Sequence, residues 1–275
     1  MAQENPSNCS GSCGSCSTDC SSRTAPQKLA PNSVSQVKKI IGVVSGKGGV
    51  GKTLTTCLLA SELRKAGYSV GIMDADLTGP SIPKAFGVKG PLRADETGIN
   101  PAVSASGIKI MSTNLMLPRE DMPVAWRGPV MTGLLEQFFN ETNWGELDYL
   151  LIDMPPGTSD VFLSIFQRMP VDGIVTVSAP QELVGIIVGK AVNLARDLNV
   201  PVLGLVENMA YYLCDGCGKK HYIFGEPQGE KTAAKYDIPA YTTMPMMPNL
   251  ASLVDAGRIE EEDVKDYLQP ILDVL

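Results

Sequence analysis

The stretch from Gly42 to Ala60, GVVSGKGGVGKTLTTCLLA, decides the expected fold of this chain. It reads as a short apolar strand, then a glycine-rich turn, then an apolar helix. Residues 46–53 match the pattern G-x-x-x-x-G-K-S/T of a phosphate-binding loop. Glycines at such a loop let backbone N–H groups approach phosphates at a helix N-terminus. Because a predicted strand and a predicted helix flank the pattern, we expect a nucleotide site here, and an unliganded glycine-rich turn is the alternative.

The side chains of this loop have separate predicted roles. Lys52 is expected to contact the terminal phosphates, and Thr53 to ligate Mg²⁺ through its hydroxyl. The whole loop is predicted to contact the nucleotide: Gly46, Lys47, Gly48, Gly49, Val50, Gly51, Lys52 and Thr53.

Three aspartates at predicted strand ends complete the expected nucleotide site. Asp153 ends the apolar run in DYLLIDMPPGTSD, residues 148–160, and is predicted to hold the metal through water. In DADLTGPS we predict that Asp76 orients the attacking water and that Asp74 supports it. The alternative for each is a solvated strand-end acid or a helix cap.

Six apolar, β-branched runs separated by helical patterns predict an α/β fold with a mostly parallel sheet flanked by helices. The runs are residues 40–44, 69–74, 108–112, 149–153, 173–178 and 202–208. Residues 87–107 are predicted to be an irregular excursion, and residues 208–229 a long loop. The acidic, amphipathic C-terminus is expected to dock on the body of the domain.

Composition predicts a flexible cysteine-rich tail over residues 1–37 and one folded domain over residues 38–275. The net charge of −7 gives no general attraction to nucleic acid or to anionic lipid, so neither is an expected partner. No apolar run approaches the roughly 18 residues of a membrane span, and the N-terminus does not resemble a signal peptide. We therefore expect a cytoplasmic protein.

Six of the seven cysteines form two short clusters, which in a reducing compartment favours metal ligation or redox chemistry over disulfides. The first cluster is C-x₃-C-x₂-C-x₃-C: Cys9, Cys13, Cys16 and Cys20. It offers four thiolates for one iron–sulfur cluster, and a zinc knuckle or a free thiol tail are the alternatives. The second is Cys214 and Cys217, for which zinc completed by His221, the only histidine, is the alternative.

The early lysine of the loop suggests a family. KGGVGKT resembles the deviant phosphate loop of the ParA, MinD and nitrogenase-iron-protein superfamily of dimeric ATPases. The resemblance implies that Lys47 reaches across a two-fold interface to the nucleotide of the other subunit. With Lys52 and Asp76 it would complete the catalytic set.

Further motifs resemble the Mrp/ApbC group of iron–sulfur cluster carrier ATPases. They are DADLTGPSIPKAFG (74–87), WRGP (126–129), DYLLIDMPPGTSD (148–160), VSAPQE (177–182) and ENMAYYLCDGCGKK (207–220). The resemblance implies a deviant Walker A P-loop NTPase fold, slow Mg-ATP hydrolysis, and a 4Fe–4S cluster held by Cys214 and Cys217 at a homodimer interface for transfer to apo iron–sulfur proteins. It also assigns Asn208 to adenine.

Two features depart from that group. Leu54 stands where the group usually has Thr, which puts one phosphate contact in doubt. The N-terminal cysteines instead resemble the motif of the eukaryotic cytosolic scaffold branch, with different spacing. The rival functions are a partitioning or regulatory ATPase stabilised by zinc, and an electron-transfer ATPase like the nitrogenase iron protein.

Overall fold

The computed structural model describes residues 28–76, 81–116, 128–157, 160–180 and 184–275. The four cysteines predicted as an N-terminal metal site lie outside these ranges: Cys9, Cys13, Cys16 and Cys20. Their predicted role therefore stays a prediction.

An eight-stranded sheet forms the centre of the described structure. Its strands are β1 (Gln36–Ser45), β2 (Val70–Asp74), β5 (Ala102–Val103), β6 (Lys109–Met111), β7 (Glu146–Asp153), β8 (Gly173–Ser178), β9 (Val202–Glu207) and β12 (Ala240–Thr243). Their spatial order is β12-β9-β8-β1-β7-β2-β6-β5, and every pairing is parallel except that of β5 with β6. The predicted mostly parallel sheet is therefore confirmed.

Two small hairpins lie outside the main sheet. They are formed by β3 (Arg93–Asp95) with β4 (Gly98–Asn100), and by β10 (Tyr212–Leu213) with β11 (Lys220–His221). The expected irregular excursion at 87–107 and the expected loop at 208–229 were wrong in this respect. Strands of two or three residues are too short to show a hydrophobic period, so the sequence pattern did not reveal them.

Helices cover both faces of the sheet, as predicted. They are α1 (Lys52–Lys65), α2 (Ile82–Ala85), α3 (Gly128–Asn140), α4 (Asp160–Arg168), α5 (Val184–Asp197), α6 (Gly229–Lys235), α7 (Asn249–Ala256) and α8 (Lys265–Leu272). One core contains side chains of α1 and α8, including Leu59 and Leu268. The second contains side chains of α3 and α4, including Phe138 and Phe162. The buried strands between these cores explain their nearly continuous apolar sequences.

Both ends of the described chain contact the folded body. The backbone N–H of Leu29 donates to the carbonyl of Arg168 at the end of α4, 2.7 Å away, and the first strand begins at Gln36. At the other end, Leu268 and Ile271 of α8 are fully buried in the first core, as expected for a docked amphipathic helix. Within the described ranges, no helix is both long and apolar enough to cross a membrane.

Candidate functional site

The polar residues that end five neighbouring parallel strands meet at one edge of the sheet. They are Ser45 of β1, Asp74 of β2, Asp153 of β7, Ser178 of β8 and Glu207 of β9. Ligands of open α/β sheets bind outside the carboxyl ends of the strands, where the connections change direction. The phosphate loop follows β1 at this same edge, so the sequence-predicted nucleotide residues converge there.

Asp153 is the centre of this polar group. Its side chain is fully buried, and both carboxylate oxygens accept hydrogen bonds from α1. Thr53 Oγ1 donates to Oδ2 over 2.7 Å, and Thr56 Oγ1 donates to Oδ1 over 2.8 Å. A buried carboxylate requires such partners, because an unpaired one would pay a large desolvation penalty.

Lys52 brings a positive charge to the same buried place. Its side chain is 6% exposed, and Nζ lies 2.8 Å from Asp153 Oδ2 and 4.0 Å from Asp76 Oδ2. The ion pair with Asp153 uses at most one of the three N–H donors of this ammonium. Lys52 therefore retains donors for phosphate oxygens.

The phosphate loop itself has the backbone that its glycines predict. Gly49 and Gly51 have φ of 79° and 84°, in the left-handed region that favours glycine. The carbonyl of Lys47 accepts a hydrogen bond from Ser45 Oγ over 3.0 Å, and the Lys47 residue is half-buried. The loop is therefore tied to the end of β1 through one of the two lysines.

Asp74 and Asp76 lie on the β2 side of Asp153. Asp74 is buried and accepts a hydrogen bond from Ser112 Oγ over 3.0 Å, and the N–H of Asp76 donates to Asp74 Oδ1 over 3.2 Å. Burial, followed by the nearby negative charge of Asp153, raises the pKa of Asp74 well above its usual value. The structure thus brings both predicted aspartates to the site, with Asp74 supporting the backbone at Asp76.

Leu54 serves packing in this chain. It is half-buried and lies against the core on the α1 face. The hydroxyl that reaches Asp153 from beyond Thr53 comes instead from Thr56, one turn further along α1. Position 54 therefore offers no hydroxyl for the phosphate contact that the family resemblance implies there.

Asn208 connects the phosphate loop to the chain that follows β9. It is buried, and its Nδ2 donates to the carbonyl of Val50 over 3.0 Å. A Cβ on Gly51 would lie 2.2 Å from Nδ2, so only glycine permits this approach. The structure places Asn208 against the phosphate loop, and its predicted contact with adenine stays a prediction.

Glu207, immediately before Asn208, fixes the other end of the same segment. Its buried carboxylate accepts hydrogen bonds from the N–H groups of Gln228 and Gly229, over 3.1 and 2.8 Å, and from Tyr241 Oη over 2.7 Å. Burial of Tyr241 and its hydrogen bond to Glu207 raise the pKa of the Tyr241 hydroxyl. Both ends of the segment 208–228 therefore lie at the dipeptide Glu207–Asn208, and Asn208 also contacts the phosphate loop.

The hairpin of β10 and β11 lies within this segment and carries the second cysteine pair. Tyr212 pairs with His221 and Leu213 with Lys220, so residues 214–219 form the turn. N–H groups of Cys217 and Gly216 point at the Cys214 sulfur and, with the Cys217 side chain, lower the pKa of the Cys214 thiol. A thiolate-stabilising turn of this kind suits metal binding.

Donor atoms of Cys214, Cys217 and His221 all lie within 4.8 Å of one another. Cys214 is half-buried, and the other two residues are exposed. Among the described residues, these are the ones that group as a cluster of potential metal ligands. The structure therefore supports a metal site at the predicted pair and places the histidine beside it.

A family model describing NUBPL iron-transfer P-loop NTPases of the ParA group matches residues 36–274. The chain belongs to this family. Its fold and its phosphate loop agree with that assignment, which confirms the resemblance proposed from the sequence.

Several known proteins are similar to this chain in sequence, and one of those described here has a solved structure. The iron-sulfur cluster carrier protein of Clostridium perfringens is 45% identical, over 95% of this chain and 98% of its own length. The carrier protein of that name from Saccharolobus solfataricus is 48% identical, over 80% and 75%. A nucleotide-binding protein of Archaeoglobus fulgidus, solved in complex with ADP and with cobalt found by PIXE, is 42% identical with a TM-score of 0.75, over 82% and 89%.

More distant relatives share the fold alone. The cell division ATPase MinD of Pyrococcus furiosus has a TM-score of 0.60 at 19% identity, over 86% of this chain and 97% of its own. The α/β fold of a deviant phosphate-loop NTPase is thus shown by comparison as well as by topology.

Two residues of the site were missed by sequence reasoning. Thr56 lies in an apolar helix, where threonine is an indifferent helix former, and the run TLTT offered the only hint that hydroxyls were needed. Glu207 ends an apolar strand, and one acidic residue at a strand end carries no specific pattern. Its partners at Gln228 and Gly229 are about twenty residues away in sequence.

The neighbouring threonines of α1 provide a test of how Asp153 is held. Thr56→Val removes a donor from a buried carboxylate, and we expect a loss of about 1 to 3 kcal/mol in the free energy of unfolding, measured by urea denaturation. Thr55→Val is the matched control, since Thr55 Oγ1 donates only to the Gly51 carbonyl, which the Thr55 N–H already satisfies. Equal losses in the two variants would contradict the assigned role of Thr56.

Proposed function

We propose that this chain is an ATP-dependent iron–sulfur cluster scaffold and carrier, which binds a 4Fe–4S cluster at a homodimer interface and transfers it to apo-proteins. The observation that carries the proposal is the shared anchor of the two sites. Asn208 contacts the phosphate loop, and six residues later Cys214 begins the cysteine pair. The names of the bacterial and archaeal relatives support the cargo.

The proposed nucleotide is Mg-ATP, and the buried groups suit it. Lys52 retains hydrogen-bond donors for phosphate oxygens, and the Thr53 hydroxyl lies beside Asp153, as expected of a pair that holds Mg²⁺ directly and through water. The ion, when bound, would neutralise charge on the terminal phosphates. The Archaeoglobus relative was solved in complex with ADP, which supports nucleotide binding by this chain.

The residues of the chain have defined parts in the proposed hydrolysis. Lys52 and the N–H groups of the loop would hold the phosphates, and Asp76, 4.0 Å from the Lys52 ammonium, would orient the attacking water. Asp74 holds the backbone at Asp76 through its carboxylate. The family resemblance implies that Lys47 of each chain would reach the nucleotide of the other.

The cluster is cargo in this proposal, and one chain supplies only half of its usual cysteine ligands. Cys214 and Cys217 of two chains related by a two-fold axis would provide four thiolates. The hairpin and the three residues that follow it carry exposed apolar side chains: Leu213, Tyr222, Ile223 and Phe224, which are 45% to 59% exposed. Exposed apolar groups of this size favour a contact with another protein surface, which we assign to a second copy of this chain.

Nucleotide state would reach the cluster through the dipeptide Glu207–Asn208. A change in the phosphate loop alters the position of the Val50 carbonyl, which Asn208 contacts. Glu207 holds the return of the cysteine-bearing segment at Gln228 and Gly229. If the nucleotide binds one arrangement of this anchor more tightly than another, nucleotide binding would shift the anchor toward that arrangement. The shift would change how firmly the cluster is held.

The iron and acid-labile sulfide content of the reconstituted protein tests whether it binds an iron–sulfur cluster. In a chain whose four tail cysteines are changed to serine, anaerobic reconstitution is expected to give about four irons and four acid-labile sulfides per dimer, as in one 4Fe–4S cluster. Adding Cys214→Ser and Cys217→Ser is expected to remove them. A protein that holds only zinc would refute the carrier function and favour a zinc-stabilised regulatory ATPase. An unchanged iron and sulfide content after the double substitution would refute the assignment of the cluster to this cysteine pair.

The two lysines of the loop test the dimer. Lys52→Ala is expected to weaken ADP binding by about 10- to 100-fold, because it removes a charged donor to phosphate. Lys47→Ala is expected to leave ADP binding in one chain nearly unchanged and to abolish dimer formation with Mg-ATP. Calorimetry and light scattering measure the two effects. An Mg-ATP dimer that survives Lys47→Ala would contradict the cross-subunit role.

A further inference from the structure

The cysteine hairpin brings three metal-binding side chains of one chain together. Antiparallel pairing of Tyr212 with His221 sets the imidazole beside the start of the turn that contains both cysteines. The turn is closed by hydrogen bonds from Cys214 N to the Lys219 carbonyl, 3.0 Å, and from Gly218 N to the Cys214 carbonyl, 2.8 Å. Backbone hydrogen bonds of the hairpin and its turn therefore bring the three side chains together before an ion binds.

The spacing of the three donors fits a single ion. All lie within 4.8 Å of one another. Around tetrahedral Zn²⁺, bonds of about 2.3 Å to sulfur and about 2.0 Å to nitrogen place the three donors roughly 3.5 to 3.8 Å apart. Small side-chain rotations of Cys217 and His221, both exposed, would close the difference. In a 4Fe–4S cluster each protein ligand binds a different iron, so the donors must stand further apart than around one ion.

We propose that Cys214, Cys217 and His221 of a single chain bind one divalent transition-metal ion of the zinc class, with a fourth position left for water or an outside donor. Two thiolates and an imidazole are a preferred set for such ions, and each thiol releases its proton on binding. Two charged thiolates and the neutral imidazole would balance the double charge of the ion.

This mononuclear state goes beyond the proposed carrier function and does not require it. When a second chain brings its own cysteines, four thiolates suffice for a cluster, and His221 is no longer needed. His221 thus binds the ion in a single chain and does not bind the cluster in the bridged dimer. The same cysteine pair would hold either an ion or a cluster, according to the number of chains present.

Neighbouring groups hold the hairpin without competing for the ion. The Lys220 ammonium lies 4.1 Å from the centroid of the Tyr211 ring, and the Met246 N–H donates to the Tyr211 carbonyl over 2.7 Å. Tyr212 Oη lies 3.3 Å from Asp215 Oδ2. Lys220 is therefore a suitable control position, since it is charged, adjacent to His221 and directed at an aromatic ring.

Cobalt(II) is the probe for the experiment, because its visible spectrum reports tetrahedral thiolate coordination. The full-length chain with Cys9, Cys13, Cys16 and Cys20 changed to serine is titrated anaerobically. We expect one Co²⁺ per chain, a tetrahedral spectrum, and displacement by Zn²⁺. His221→Ala is expected to weaken Co²⁺ binding at least tenfold, His221→Cys to restore it, and Lys220→Arg, which keeps a cation over the Tyr211 ring, to leave it unchanged.

Equal Co²⁺ affinity and spectrum in wild type and His221→Ala would overturn the inference, as would one Co²⁺ per two chains. Iron and sulfide content of reconstituted His221→Ala separates the two proposals. The inference predicts the wild-type cluster content in that variant, and loss of the cluster with His221 would overturn it. If the wild type forms no cluster but binds Co²⁺ through His221, the carrier function fails and the mononuclear site stands.

Discussion

The buried carboxylate of Asp153 is the constraint on which the nucleotide site depends. It is fully buried at the end of a central strand, so it requires partners from every side. Thr53 and Thr56 donate to its two oxygens, and the Lys52 ammonium lies 2.8 Å away. These three residues lie in the first turns of α1. The hydrogen-bond and charge partners that Asp153 requires therefore fix the position of the helix that follows the phosphate loop.

The same charge shapes the neighbouring strand. Asp74 lies close enough that Asp153 contributes to its raised pKa, and Ser112 stabilises it through a hydrogen bond. The raised pKa of Asp74 means that a second negative charge beside Asp153 is unfavourable in this buried place. A bound cation would make that second charge less unfavourable, which makes the pocket suited to a metal-bound nucleotide.

Much of this arrangement was predictable from sequence. The glycine pattern and the six apolar runs each carry a strong local signal, because a buried parallel strand and a phosphate loop have few alternative sequences. Asp153 was predicted from the motif DYLLIDMPPGTSD that surrounds it. The β10–β11 hairpin and Glu207 carry no such signal. Two-residue strands have no period, and the partners of Glu207 come from a distant part of the chain. The histidine beside the cysteines was predicted as an alternative ligand from C-x₂-C-x₃-H spacing, and its proximity required the hairpin register.

We propose that the phosphate loop and the cysteine hairpin are coupled through the Glu207–Asn208 dipeptide. Hydrogen exchange of the backbone amides of the metal-free chain, with and without Mg-ADP, tests it most directly. We expect nucleotide to change the protection of residues 209–229 as well as that of the phosphate loop. At Mg-ADP concentrations that saturate the variant, we expect Asn208→Ala to remove the distant change and to leave the change at the loop. Changes confined to the phosphate loop and residues 153–157 in the wild type would contradict it.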